Sequence, residues 1–171
     1  MTPFVIDANA IHAFQQERIR EAPGLAHDAI EAIFSAHCIA LDVEKLCYQE
    51  WIDCAGGTFP FALIDWISDN LVAGKINFFE MAPNSCKRQL TNLGLPQKDH
   101  KWIRLSIGCA GRRLVTEDID FFDPTKKTAK SHVKAQLKAD RSGACAKGLR
   151  KDFDVSVMCL DHVKSEVLLA P

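Results

Sequence analysis

An apolar run that stops at an acid opens the chain: Phe4-Val5-Ile6-Asp7. Its short length and its β-branched residues are typical of a buried strand. A carboxylate at the end of such a strand needs a partner, because an unpaired charge in apolar surroundings is unfavourable. The stretch therefore predicts a core strand that delivers Asp7 to one edge of a sheet.

Short apolar runs of the same kind alternate with helical patterns along the rest of the chain. We predict further strands over residues 38–41, 76–79, 113–116 and 155–159. We predict helices over residues 10–20, 25–37, 43–54, 59–72, 85–93, 98–109, 131–139 and 161–168. Such alternation is typical of right-handed crossovers between parallel strands. The expected fold is α/β, with three α/β/α layers around a central, mostly parallel sheet.

Length and composition are those of an ordinary globular protein. The 171 residues, 47% of them hydrophobic, fit a single domain over residues 1–171. No apolar run is long enough to cross a bilayer, and the opening residues lack the basic region of a signal peptide. We therefore expect a soluble, cytoplasmic protein without a membrane partner. Seven cysteines without a C-x-x-C pair indicate reduced, structural thiols rather than a zinc ribbon.

A net charge of −1 conceals an uneven distribution, because residues 125–151 hold nine Lys and Arg against one acid, Asp140. We predict a basic insertion or loop at about 125–151. It could bind nucleic-acid phosphates, dock an acidic partner or be a solvated loop. The absence of aromatic residues gives no support for base stacking. The predicted nucleic-acid contacts are Lys126, Lys127, Lys130, Lys134, Lys138 and Arg141.

Several acids fall where the predicted sheet would gather them. Asp7 ends the first strand, and Asp118 and Asp120 follow the strand at 113–116. Glu50 lies near the end of one predicted helix, and Asp99 opens another. Ligand sites of parallel sheets form at the carboxyl ends of the strands. Crowded carboxylates repel one another, whereas a hard cation such as Mg²⁺ binds them together.

The order of these motifs resembles that of the PIN-domain nucleases. The opening strand of that family looks like Phe4-Val5-Ile6-Asp7-Ala8-Asn9, and its second acid, a helical Glu before an aromatic residue, is matched by Glu50-Trp51. Its third acid is matched within Leu95-Pro96-Gln97-Lys98-Asp99-His100, and its T-x-D-x-D-F pattern by Thr116, Asp118, Asp120 and Phe121. The resemblance covers residues 4–123 and, more loosely, 155–168; the basic segment lies outside it.

The resemblance implies a PIN-like fold and a metal-dependent endoribonuclease that hydrolyses phosphodiester bonds. By resemblance, one or two Mg²⁺ or Mn²⁺ ions would be held by Asp7, Glu50, Asp99 and Asp118, with Asp120 as an auxiliary ligand. Asn9 and Thr116 would orient these carboxylates or the attacking water. Many proteins of the family are toxins of toxin–antitoxin pairs. The implied partners are thus an RNA substrate, an antitoxin or another protein, and a second copy of the chain.

Each acid also has a structural interpretation. Asp99 could cap its helix. Glu50 could be a solvated helix residue, and Glu44 is the alternative site acid if the helix register is shifted. Asp120 and Asp123 could form turns before Pro124.

Two other functions also stay open. One is a catalytically silent PIN-like module that binds RNA or protein. The other is a phosphohydrolase of the haloacid-dehalogenase type with Asp7 as nucleophile, although that family needs D-x-D and this chain has Asn9 at the second position. None of the histidines shows ligand spacing, and His100 attracts interest only because it follows Asp99.

Overall fold

Five parallel strands form the central sheet in the computed structural model, which describes residues 1–54 and 60–168. The strands are β1 (Pro3–Ile6), β2 (Cys38–Asp42), β3 (Ile76–Phe79), β4 (Arg113–Val115) and β5 (Ser156–Met158). They lie in the order β3-β2-β1-β4-β5, and each neighbouring pair is parallel. Each strand lies where the sequence predicted one.

Helices cover the sheet and complete the expected three-layer α/β/α fold. They are α1 (Ala8–Ile19), α2 (Leu25–Ala36), α3 (Leu46–Cys54), α4 (Pro60–Val72), α5 (Lys87–Asn92), α6 (His100–Gly108), α7 (Ser131–Asp140), α8 (Ala144–Phe153) and α9 (Leu160–Leu168). Helix α2 packs against α1 and α9, while α6 packs against β1, β2 and β4. None of the described helices combines the length and the apolar character needed to cross a bilayer.

The central strands are buried, as expected where helices cover a parallel sheet. Phe4, Val5 and Ile6 of β1 are fully buried, and so are all the residues of β2. All seven cysteines are free, and all except Cys54 are buried. The core is therefore apolar as far as the ends of β1 and β4. The acids that follow these two strands lie immediately beyond the core.

The predicted start of helix α3 differs from the structure, and that of α4 lies outside the described residues. Helix α3 begins at Leu46 rather than at residue 43, because Asp42 is still part of β2 and a turn through Lys45, which has a positive φ, follows it. The Asp42 carboxylate nevertheless caps this helix, accepting hydrogen bonds from the backbone N–H groups of Leu46 and Cys47 at 2.6 and 2.8 Å. Helix α4 is described from Pro60, so its predicted start at residue 59 lies outside the described residues.

The basic segment at 125–151 is mostly helical rather than a loop, because it contains α7 and most of α8. Helix α7 was predicted almost to its last residue, whereas α8 was not predicted. Cys145, Ala146 and Leu149 form the buried face of α8. The first turn of α8 is tied to the core, since the backbone N–H groups of Cys145 and Ala146 donate to the Phe122 carbonyl at 3.0 and 3.1 Å.

Candidate functional site

The ends of β1 and β4 bring two distant parts of the chain together at one edge of the sheet. Asp7 follows β1, and its backbone N–H donates to the carbonyl of Val115 at 2.9 Å. Thr116 follows β4, and its hydroxyl donates to the Asp7 carboxylate at 2.7 Å. Asp7 and Thr116, two residues of the predicted site, are therefore in direct contact. We call this edge of the sheet, with the acids around Asp7, the acidic edge.

Asp7 is buried, with 5% of its surface exposed. Burial raises the pKa of Asp7 to about 7, although hydrogen bonds from Thr116 and from the Ala8 backbone N–H act against the rise. The negative charges of Glu50 and Asp118 raise the pKa further. The ionised form of Asp7 is thus disfavoured by its surroundings, and a nearby cation would favour it.

Thr116 and Asn9 hold the loop after β4 against the end of β1. The Thr116 hydroxyl, besides donating to Asp7, accepts a hydrogen bond from the Asp118 backbone N–H at 3.0 Å. The Asn9 side-chain oxygen accepts one from the Glu117 backbone N–H at 3.1 Å. The Asp118 carboxylate in turn accepts from the backbone N–H of Asp120 at 3.0 Å. Asn9 and Thr116 therefore position Asp118 beside Asp7.

Glu50 reaches the acidic edge because its neighbour Trp51 anchors α3. The fully buried indole of Trp51 donates to the Ile6 carbonyl, the last of β1, at 2.9 Å. The charge of Glu50 raises the pKa of both Asp7 and Asp99, so Glu50 lies near both. Its carboxylate forms an ion pair with Lys101 and is about a third exposed. It is thus a member of the acidic edge rather than a freely solvated helix residue.

Asp99 precedes α6 and is 4% exposed. Its side chain makes no capping hydrogen bond, and its Oδ2 atom is buried without a hydrogen-bond partner in the part of the chain that the structure describes. Burial raises the pKa of Asp99 to about 6, Lys98 lowers it, and the charges of Asp118, Glu50 and Asp120 raise it. The capping interpretation of Asp99 is therefore not seen, and the residue belongs to the same group of acids.

Asp120 is 1% exposed and is neutralised by the chain itself. Its Oδ2 atom accepts a hydrogen bond from the Lys127 ammonium at 2.7 Å, while Oδ1 is buried without a partner among the described residues. The hydrogen bond to Asp120 raises the pKa of Lys127, and the charges of Asp120, Asp118 and Asp99 raise it further. Asp123 has the turn role that was one of its alternatives, because it caps residues 124–126 through Thr125.

The predicted nucleic-acid contacts differ in whether they are already paired with an acid. Lys127 pairs with Asp120, Lys138 with Glu117 and Arg141 with Glu166. The three that make no ion pair with another described residue are Lys126, Lys130 and Lys134. Half of the predicted contacts are therefore engaged with the chain's own acids.

A cavity of about 550 Å³ opens beside Glu50. Lys98, which precedes α6, and Lys101 and Arg104, which lie on it, contribute to its walls at a spacing of three residues. His100 also lines it, but one ring nitrogen of His100 lies 3.0 Å from the Leu95 carbonyl. The cationic side of this cavity was not predicted, although the 98-101-104 spacing was visible in the sequence.

The donor atoms of the acidic edge are of the type that hard divalent cations prefer, namely carboxylate oxygens, two of them buried without partners. They do not form a finished cage, because no group of three or more His, Cys, Asp or Glu within residues 1–54 and 60–168 is arranged to hold a metal ion. Lys101 and Lys127 instead supply positive charge. The carboxylate oxygens are therefore ligands of the kind that suits Mg²⁺ or Mn²⁺, and two lysines lie close to these acids.

The structure thus brings Asp7, Thr116 and Asp118 together at one edge of the sheet. The charges of Glu50, Asp118 and Asp120 act on the buried carboxyls of Asp7 or Asp99 and raise their pKa. Lys101 and Lys127, which neutralise two of these acids, were not predicted in that role. Comparison of the chain with models of protein families, with characterised proteins and with solved structures found no match.

Proposed function

We propose that the chain is a metal-dependent endoribonuclease of the PIN-like type. The observation that carries the proposal is the contact at the ends of β1 and β4, where the Thr116 hydroxyl donates to the Asp7 carboxylate at 2.7 Å and accepts from the Asp118 backbone N–H at 3.0 Å. The charges of Glu50 and Asp118 also raise the pKa of the buried carboxyls of Asp7 and Asp99. Four acids from distant parts of the chain are therefore near enough to repel one another. Such an arrangement is unfavourable for stability alone, and perturbed acids concentrate at functional sites.

Asp7, Glu50, Asp99 and Asp118 would hold Mg²⁺ or Mn²⁺, with Asp120 as an auxiliary ligand. A bound divalent ion supplies an activated water and positive charge against the scissile phosphate. Thr116 keeps the Asp7 carboxylate oriented by donating to it at 2.7 Å, and Asn9 holds the adjoining loop. The cavity beside Glu50 offers the phosphate chain positive charge next to these acids.

The proposal is tested by incubating purified protein with labelled RNA and labelled DNA, in Mn²⁺ or in a chelator. We expect RNA cleavage in Mn²⁺ alone, and at least a hundredfold slower cleavage by Asp7→Asn, because that change removes a charged ligand of the ion. Asp65→Asn is the matched control, since Asp65 is exposed on α4. Wild-type cleavage rates in Asp7→Asn would refute the assignment.

A catalytically silent PIN-like binding module is the second candidate. It is favoured by the ion pairs Glu50–Lys101 and Asp120–Lys127, which neutralise two of the acids without a metal. It is also favoured by the lack of a closed metal cage within the described residues. Thermal unfolding during a Mn²⁺ titration separates the two, because an ion that binds the native state raises the midpoint. No shift would favour the silent module.

A further inference from the structure

A second cavity, of about 610 Å³, lies beside β5, the strand at one end of the sheet. The start of β4, the strand β5 itself, α8, the residue after α7 and one residue of α9 form its walls. Six cationic side chains line it: Arg112, Arg113, Arg141, Lys147, Arg150 and Lys151. The acid among its lining residues, Glu166, is already paired with Arg141. The cavity therefore carries a large excess of positive charge.

Four of these six cations make no ion pair with a described residue, and two of the four, Lys147 and Lys151, lie on α8. Lys147 and Lys151 are exposed on α8 and make no ion pair with any residue that the structure describes. They are four residues apart, so they share one side of the helix and repel each other. Arg150, between them, is only partly neutralised by the exposed Asp154, 3.2 Å away. A bound anion would relieve this repulsion.

The cavity extends toward the acidic edge. Met158, the last residue of β5, lines it, and the Met158 carbonyl accepts a hydrogen bond from the Thr116 backbone N–H at 2.9 Å. Thr116 is the residue that holds Asp7. At its other end the cavity reaches Gly111, before the start of β4. A chain of phosphates that leaves the acidic edge can therefore continue along β5.

We propose that this cavity binds the phosphate backbone of single-stranded nucleic acid, and the inference rests on the proposed nuclease function. None of the described residues that line the cavity is aromatic, so recognition is by charge rather than by base stacking. An acidic peptide that adds a strand to β5 fits less well, because Val157, at the middle of the edge strand, is only 3% exposed. RNA and DNA of equal length are accordingly bound with similar affinity.

The test measures binding of a fluorescently labelled single-stranded oligonucleotide, by anisotropy, in a chelator and over a range of salt concentrations. We expect Lys147→Gln/Lys151→Gln to bind about tenfold more weakly at low salt. Its plot of log affinity against log salt should be shallower by about 1.4, because each lost phosphate contact lowers the slope by about 0.7. The comparison variant is Lys130→Gln/Lys134→Gln, which removes the same charge from two residues that the sequence predicted as contacts but that lie outside the cavity; it should keep the wild-type slope.

Three outcomes would overturn the inference. The first is wild-type binding by the cavity variant, with its fold verified by circular dichroism. The second is an equal loss in both double variants, which would mean diffuse attraction by the whole basic segment. The third is displacement of the oligonucleotide by polyglutamate as effectively as by unlabelled oligonucleotide, which would point to an acidic protein partner. Because the chelator prevents metal-dependent cleavage, these results are independent of the cleavage assay on Asp7→Asn.

Discussion

At the scale of single residues, the acids of the acidic edge are subject to two opposing influences, burial and neighbouring positive charge. Asp7 and Asp99 have raised pKa values mainly because they are buried, whereas Asp120, equally buried, has a lysine ammonium beside it. The sequence could place Asp7 and Asp118 at the edge, since an acid at or shortly after the end of an apolar strand has few other positions. It could not reveal that Lys127 turns inward, because that contact depends on how the turns at 119–126 fold back on the site.

Lys127 is expected to stand in for a metal ion at Asp120. Replacing it by methionine leaves the Asp120 carboxylate buried without its partner, so Lys127→Met should lower the thermal midpoint in a chelator. Mn²⁺ would then supply the missing charge, and the Mn²⁺-induced rise in midpoint should exceed that of the wild type. Lys126→Met is the control, because Lys126 is exposed and makes no ion pair with another described residue. Equal rises in the wild type and in both variants would contradict the expectation.

At the scale of elements, the strands were predictable and α8 was not. The strands are short apolar runs, several of them followed by acids or turns, and all except β3 are mostly buried; in β3 only Ile76 is buried. The buried face of α8 consists of Cys145, Ala146 and Leu149, and it is interrupted by Lys147 and Gly148. An apolar face this small, in a segment rich in lysine, produces only a weak helical pattern of apolar residues in the sequence. Its position is set instead by contact with Phe122.

Gly143 is expected to be essential for that contact. A β-carbon at Gly143 would overlap the carbonyl oxygen of Phe122, which is backbone and cannot move aside. Gly143→Ala should therefore lower the free energy of unfolding by about 1–3 kcal/mol, as measured by urea denaturation. Gly148→Ala is a matched control, because its β-carbon meets the flexible end of Leu93 and alanine favours the helix. An equal effect of the two changes would show that the Phe122 contact is not what fixes α8.

At the scale of the whole molecule, the chain separates its charges. Acids collect where β1 and β4 end, and unpaired cations collect along β5 and α8. The sequence indicated this asymmetry through the basic segment, but it assigned the contacts to residues 126–141. In the structure, unpaired cations gather at Arg112, Arg113 and the lysines of α8, whereas three of the six cations at 126–141 are paired with acids.

Stability should depend on pH through the two buried carboxyls. Their folded pKa values, about 7 for Asp7 and about 6 for Asp99, lie above the ordinary value of 3.8. Their stabilising contribution is complete below the ordinary value and is lost as pH rises through 6 and 7. In a chelator, the free energy of unfolding should thus fall from about pH 4 to about pH 7 and level off above it. The fall is about 1.4 kcal/mol per pH unit for each group while pH lies between its ordinary and its folded pKa. Asp7→Asn should reduce this slope; an unchanged slope would contradict the assignment.

The central claim is that acids far apart in the chain share a divalent cation, and calorimetric titration with Mn²⁺ tests it most directly. We expect the wild type and the control Asp65→Asn to bind one or two ions. Asp7→Asn and Asp118→Asn, verified as folded, should each lose at least one of these ions or bind it at least tenfold more weakly, because each removes a charged oxygen ligand. A folded wild-type protein that binds no Mn²⁺, or variants that bind it as tightly as the wild type, would contradict the claim.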